Sequence, residues 1–392
     1  MNEQNVVRLG IIGPSWWVNY WHLAGIQTHP MAEVVAVCGA SDRADVDLKA
    51  KYGLAAESYR SVEDLLDHAD VDGVIVCTPN DLHFPYAMAA LNRDIHVACE
   101  KPVAMNAHQA KEMAETARRR HLLGLTNFPY RDNPAVQALR DQIKSGYLGT
   151  PLHISGAYHG GFGLENAPNW RGKRARSGAG ILGDLGSHLI DLARFVTGDE
   201  FHSVCAHSLT LLRDGQTPPC LIRTEDPRAG ERNDDSCAFL AEFASGMQGV
   251  FHTSWVAYQG AGAQHQELEV YGTGGRLQFL ATHGGTFLRG MKSGETGWEL
   301  LPVQGIVLPE AGRADNEDYF RPGRHLKTNT TYRWIDAIHT GQTTISPDLE
   351  AGWQAQRVID AVIQASAERR WVDLAEEELE SVGEAVPAQQ FD

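Results

Sequence analysis

Two short apolar runs, Val74-Ile75-Val76-Cys77 and Ile95-His96-Val97-Ala98-Cys99, are joined by about a dozen residues of helical spacing. Each run stops at a polar cluster containing a proline: Thr78-Pro79-Asn80 after the first, Glu100-Lys101-Pro102 after the second. Runs this short and apolar suit strands buried on both faces, as in a parallel sheet with helical crossovers. In such sheets chemistry gathers at the carboxyl ends of the strands. The prolines forbid further ladder pairing and push the preceding residue out of the helical region. Asn80, Glu100 and Lys101 are therefore expected at strand ends. Pro102 is expected to fix the backbone so that Lys101 enters the cleft, with a cis bond between them.

The same alternation runs from residue 6 to 127. Val6–Ile12, Glu33–Cys38 and Leu122–Asn127 read as further strands. Asp45–Tyr52, the segment from Ser61, His83–Asn92 and Ala107–His121 read as helices, with Ser61 and Asp64 at capping spacing. This predicts an α/β chain that opens with a doubly wound parallel sheet. The first strand breaks at Gly13-Pro14-Ser15, and a helix starts near Trp16. Helix amides there could hold a pyrophosphate, which makes Gly13, Pro14, Ser15 and Trp16 candidate cofactor contacts. Against Gly-x-Gly-x-x-Gly, however, Ser15 and Val18 replace the second and third glycines, so an ordinary strand–turn–helix fits equally well. At the end of the second strand, Ser41 could donate a hydrogen bond and Arg43 could pair a 2′-phosphate. Asp42 could instead hold the ribose hydroxyls. The balance leans slightly to NADP over NAD.

After residue 127 the texture changes. Val204–Leu212, Ser236–Phe243, Gly249–Trp255, His265–Tyr271 and Gly275–Leu280 are strand-like runs in succession, following Pro151–His159. They predict an α+β domain with an open, mostly antiparallel sheet, one face of which is free to form a homodimer or homotetramer. His159 lies where it could line a site. The expected division is 1–127 for the wound domain and 128–325 for a substrate and oligomerisation domain. Residues 326–372 would be closing helices between the two, and 373–392 a frayed acidic tail. Stretches 214–235 and 290–325 are rich in Gly, Pro and charge and read as loops or lids.

The 392 residues suit two domains, and the net charge of −16 argues against a nucleic-acid partner. The N-terminus has no signal-peptide core, and no apolar run reaches the roughly 18 residues of a membrane span. The six cysteines are scattered without a Cys-x-x-Cys pair. They read as reduced thiols of a cytoplasmic protein, with no metal site.

A second constellation is Ser177-Gly178-Ala179-Gly180-Ile181-Leu182-Gly183-Asp184-Leu185-Gly186-Ser187-His188-Leu189-Ile190-Asp191. A glycine-rich loop enters a helix, and Asp184 and His188, four apart, share one face. That pair suits acid–base work. The plainer reading is a helix cap and a satisfied core histidine.

Taken together, Leu9-Gly10-Ile11-Ile12-Gly13, Thr78-Pro79-Asn80…His83, Glu100-Lys101-Pro102 and Gly180…Asp184-Leu185-Gly186-Ser187-His188-Leu189-Ile190-Asp191 resemble the Gfo/Idh/MocA family over roughly residues 6–372. The resemblance implies an NAD(P)-dependent oxidoreductase. It would pass a hydride between a nicotinamide and a secondary hydroxyl of a sugar, sugar derivative or cyclitol. Lys101, Asp184 and His188 would be its catalytic set. Thr78, Asn80, His83 and Glu100 would contact the cofactor or hold Lys101. Tyr130, Arg131, Trp170 and Arg171 would shape the substrate pocket. Two alternatives stay open: a redox-neutral enzyme of the glycosidase or epimerase kind that returns the hydride, and a non-catalytic cofactor-binding sensor.

Overall fold

The structure, a computed structural model, describes residues 6–39, 42–165, 169–212, 220–222, 232–260, 263–282, 285–303 and 327–374. Six strands open the chain: β1 (Val7–Ile12), β2 (Ala32–Cys38), β3 (Glu57–Tyr59), β4 (Gly73–Val76), β5 (His96–Glu100) and β6 (Gly124–Asn127). They pair in parallel in the order β3-β2-β1-β4-β5-β6. The helices between them are α1 (Leu23–Thr28), α2 (Asp42–Tyr52), α3 (Val62–His68), α4 (His83–Leu91) and α5 (Ala107–Arg119). Leu9, Ile11, Val74, Ile75, Val76, Val97 and Ala98 are fully buried, as strands covered on both faces require. Strand order reverses between β1 and β4, and the crevice at such a switch point lies at the carboxyl ends. β3 is absent from the sequence reading because Glu57-Ser58-Tyr59 is a polar edge strand with no apolar run.

Between β1 and α1 the backbone makes a π-turn over Val18–His22. Val18, where the fingerprint has its third glycine, is fully buried among Leu9 and Ile11. The helix carries a side chain at a point where glycine would permit close approach.

The second domain has helices α6 (Pro134–Lys144), α7 (Phe162–Glu165), α8 (Arg174–Ser177) and α9 (Ser187–Thr197). Its strands are β7 (Pro151–Gly160), β8 (Phe201–Leu212), β9 (Cys220–Ile222), β10 (Ser236–Phe243), β11 (Gln248–Ser254), β12 (Gln264–Gly272), β13 (Gly275–Thr282), β14 (Gly285–Lys292), β15 (Glu299–Leu300) and β16 (Val372–Asp373). Their order is β15-β14-β13-β12-β7-β11-β10-β8-β16, with β9 beside β8. Only β7 and β11 pair in parallel among these described strands. Alternating burial on β10 and β11 turns Phe239, Phe243 and Phe251 into the core with Leu189 and Leu192 of α9. It turns Leu240 and Val250 outward, 47% and 44% exposed.

Two long helices close the fold, α10 (Thr330–Thr340) and α11 (Leu349–Glu368). Trp334 of α10 is buried over Gly73, where a Cβ would sit 2.7 Å from its ring. α11 packs against α5 of the first domain and β8 of the second. Of the expected loops, 214–219, 223–231 and 304–325 lie outside the described residues, as do 375–392 of the expected tail. Cys220–Ile222 of the first expected loop form β9, Gly290–Lys292 and Glu299–Leu300 of the second belong to β14 and β15, and Asp373 of the expected frayed tail pairs through β16 with Ser203 of β8. Among the described residues no helix is long and apolar enough to cross a membrane.

Candidate active site

A cavity of about 1040 Å3 follows the crevice. One end lies at Gly13–Trp17, Cys38, Gly39 and Arg60–Glu63, and the other at Lys101, Tyr130, Tyr158, Trp170, Asp184 and His188. Gly13 has φ +85°, and a Cβ there would meet the Cys77 carbonyl oxygen and the Thr78 methyl at 2.7 Å. Only glycine fits both the left-handed backbone and the space. Ser15, in the place of the second glycine, accepts a hydrogen bond from the Val18 amide at 3.3 Å and contacts Cys77 Sγ at 3.1 Å. It therefore caps the helix that lines the cavity. Trp16 stacks on Tyr20 and Trp17 on Trp21, a row of aromatic rings along that helix. A dinucleotide fits this groove: the glycine turn is preserved, and the cavity continues from the end of β2 to the strand ends of β4 and β5.

At those strand ends the polar residues are tied together. The ring nitrogens of His83 face the Pro102 and Thr78 carbonyls, each at 2.9 Å, and so stitch the end of β4 to the end of β5. The Lys101–Pro102 bond is cis, as expected. Asn80 donates to the Ser177 carbonyl at 2.9 Å, joining the first domain to the second. Glu100 is buried and accepts hydrogen bonds from His22 at 2.9 Å and from Asn127. Burial alone would raise its carboxyl; His22, Asn127 and the Lys101 charge outweigh that and hold it below the usual range.

The second domain supplies the opposite wall. Lys101 Nζ donates to the Asp184 carbonyl oxygen at 2.6 Å and to its Oδ1 at 3.1 Å, and Arg171 Nε lies 3.5 Å from the same Oδ1. Burial would raise the Asp184 carboxyl, but the two cations hold it low. Asp184 sits in a π-turn, Leu182–Gly186, ahead of α9. Asp234 anchors that turn: its carboxylate accepts from the amides of Gly180 at 2.9 Å and Leu182 at 3.0 Å. Gly180 is required here, because a Cβ would lie 2.2 Å from the Asp234 carbonyl oxygen. His188 is buried in an aromatic box, 4.6 Å from the Tyr130 ring and 6.0 Å from that of Tyr158. Tyr130 and Tyr158 share a hydroxyl–hydroxyl hydrogen bond, and Tyr158 donates to Gln264 at 2.8 Å. Trp170 stacks under the Arg171 guanidinium at 4.5 Å.

The structure thus gathers Gly13, Pro14, Ser15, Trp16, Thr78, Asn80, His83, Glu100, Lys101, Tyr130, Trp170, Arg171, Asp184 and His188 around one cavity. Two expected substrate contacts are not brought there. Arg131 is turned away into a buried ion pair with Asp191, donating from Nε and Nη2 at 2.6–3.1 Å. His159 points to the opposite face of the β7 sheet, where its Nε2 meets His252 Nδ1 at 2.9 Å and its ring stacks on His265. The alternation of β7 explains this: Tyr158 faces the cavity, so its neighbour cannot. Ser41 lies outside the described residues. Asp42 and Arg43 begin α2, and their side chains are outside the description.

Sequence reasoning missed His22, Asp234, Tyr158 and Gln264. His22 reads as packing in a chain with 17 histidines. Its one signal is its place in an apolar helix nine residues after Gly13.

Comparison with known proteins gives the family. Residues 7–128 match the model described as an oxidoreductase family with an NAD-binding Rossmann fold, and residues 136–278 match the GFO/IDH/MocA C-terminal domain. The chain is similar to levoglucosan dehydrogenase of Pseudarthrobacter phenanthrenivorans, 26% identical over 373 residues that cover 88% of this chain and 90% of that protein. It is similar to D-glucoside 3-dehydrogenase of Escherichia coli, 33% identical over 234 residues, 57% of this chain and 66% of that one. Among solved structures, an oxidoreductase domain protein from Kribbella flavida superposes with a TM-score of 0.78 at 26% identity, covering 95% of this chain and all of that one.

Proposed function

The chain belongs to the Gfo/Idh/MocA family of oxidoreductases, and on that footing we propose that it is an NAD(P)-dependent dehydrogenase acting on a secondary hydroxyl of a sugar, sugar derivative or cyclitol. One observation carries the reading: Lys101, at the end of β5, meets Asp184 across the cavity that the glycine turn opens. The bound nicotinamide supplies the hydride acceptor. The chain's own residues do the rest. Lys101 and His188 face the reacting end, and the His188 imidazole, or the Lys101 nitrogen once it has given up its own proton, takes the hydroxyl proton as the C–H bond breaks. Asp184 aims the Lys101 ammonium, and Asp234 holds Asp184. Trp170, Tyr158 and Gln264 offer an aromatic face and hydrogen-bonding groups to a sugar ring.

The described cations near this end are already engaged: Lys101 and Arg171 by Asp184, and Arg176 by Asp81 at 2.9 Å. That supports a neutral polyol as substrate. Arg60, which lines the cavity beyond β3, supports NADP over NAD. The outward Leu240 and Val250 support a homodimer or homotetramer through the large sheet, and a monomeric mass in light scattering would contradict it. The cysteines Cys77, Cys99, Cys205 and Cys237, which form no disulfide among the described residues, support a cytoplasmic setting.

The test is a panel of sugars, glycosides and inositols incubated with NAD+ and with NADP+, followed at the nicotinamide absorbance. Reduction with at least one neutral sugar or cyclitol is expected. No reduction with any member, and no oxidation of reduced cofactor by the matching ketones, would sink the reading.

A further inference from the structure

Behind Lys101 runs a buried network that no step above has used. Glu100 Oε1 faces His22 Nε2 at 2.9 Å, and Asn127 Nδ2 donates to the same oxygen. His22 Nδ1 faces Thr331 Oγ1 at 2.8 Å. Thr330 Oγ1 donates to Asn127 Oδ1 at 2.7 Å and accepts from Trp21 Nε1 at 3.1 Å.

Counting protons fixes the roles. Trp21 can only donate, so the Thr330 hydroxyl must spend its one proton on Asn127 Oδ1, which turns the Asn127 amide group toward Glu100. An ionised Glu100 can only accept, so His22 carries a proton on Nε2, while its Nδ1 is hydrogen-bonded to the Thr331 hydroxyl. Glu100 then accepts from both His22 and Asn127 as an anion. The carboxylate is held from β1–α1 by His22, from β6 by Asn127 and through both from the first turn of α10. It lines the cavity next to Lys101.

We propose that His22 is a positioning residue which, with Asn127, fixes the Glu100 carboxylate beside Lys101, and that this fixed charge biases the site toward the oxidised, cationic nicotinamide over the reduced, neutral one. The proposal rests on the functional reading above. A preorganised, buried charge is screened less than one in water, so a one-charge difference between two forms of one ligand is where it shows. A weaker hold on the reduced form also favours its release.

The experiment measures dissociation constants of the full-length protein for oxidised and reduced dinucleotide by titration calorimetry, without substrate. The proteins are wild type, Glu100→Gln, His22→Leu and His22→Gln. Glutamine at 100 keeps an oxygen for His22 and Asn127 but removes the charge. Glutamine at 22 keeps a donor to Glu100, whereas leucine does not. Relative affinity for the reduced form is expected to rise about tenfold in Glu100→Gln and several-fold in His22→Leu, with His22→Gln near wild type. Equal weakening of both forms in folded Glu100→Gln would overturn the proposal by reducing the network to scaffolding. A wild type that binds neither dinucleotide would overturn the functional reading, and this proposal with it.

Discussion

Lys101 Nζ reaches the backbone carbonyl and the side chain of Asp184 at once, at 2.6 and 3.1 Å, across the junction of two domains. A strand end of the parallel sheet and a π-turn of the second domain are thereby held in one geometry. Replacing Lys101 with alanine is expected to lower kcat by about 100- to 10,000-fold, the range of general acid–base catalysis, in a protein that still folds. Wild-type turnover in that variant would remove Lys101 from the chemistry.

Gly13→Ala tests the cofactor groove. The left-handed backbone alone costs about 1–2 kcal/mol with a Cβ, and the contact with the Cys77 carbonyl adds to it. Calorimetry should show weakened dinucleotide binding together with a lower melting temperature. Unaltered affinity would mean that this turn is not the cofactor's seat.

Asp234→Asn tests the anchor of the Asp184 turn. One of the two bonds to Gly180 and Leu182 then faces an amide N–H, and the loss is about 2 kcal/mol. Because the residue lies behind Asp184, kcat should fall as well. Denaturant melts with parallel turnover assays check both, and an effect on neither contradicts the assignment.

His159 gives a pH dependence of stability. Burial first, then the neighbouring His252 and His265, depress its imidazole to about 4 from 6.5. The native state therefore binds fewer protons there than the unfolded chain between those values, so stability should rise with pH across this window and fall on acidification. The groups facing it are His252 and His265, with Glu267 beyond. His159→Gln should flatten the slope of melting temperature against pH between about 4.5 and 6.5. An unchanged slope would place the titration elsewhere.

Much of the fold was legible because buried strands between helices leave an apolar signature that survives in one sequence. Val74–Val76 and Val97–Cys99 carried it; the polar edge strand Glu57–Tyr59 could not. The polar site residues were legible where chain order places them at strand ends, as with Asn80 and Lys101. Asp234 and His22 were not, since their roles depend on partners 50 or more residues away: Asp234 with Gly180 (|i−j| 54) and His22 with Glu100 (|i−j| 78). Arg131 misled for a related reason. It follows Tyr130, which does reach the cavity, but Asp191 on α9 offers a buried carboxylate that captures the guanidinium. His159 was displaced by strand parity, one residue from the side chain that lines the site.

The most direct test follows the hydride itself. A neutral sugar that supports turnover is labelled with deuterium at the oxidised carbon and incubated with the oxidised cofactor, and the cofactor is recovered for mass spectrometry. Accumulation of singly deuterated reduced cofactor, matched mole for mole by the keto product, is predicted. Product formation with no labelled reduced cofactor accumulating would contradict a net dehydrogenase and point to an enzyme that returns the hydride to its substrate.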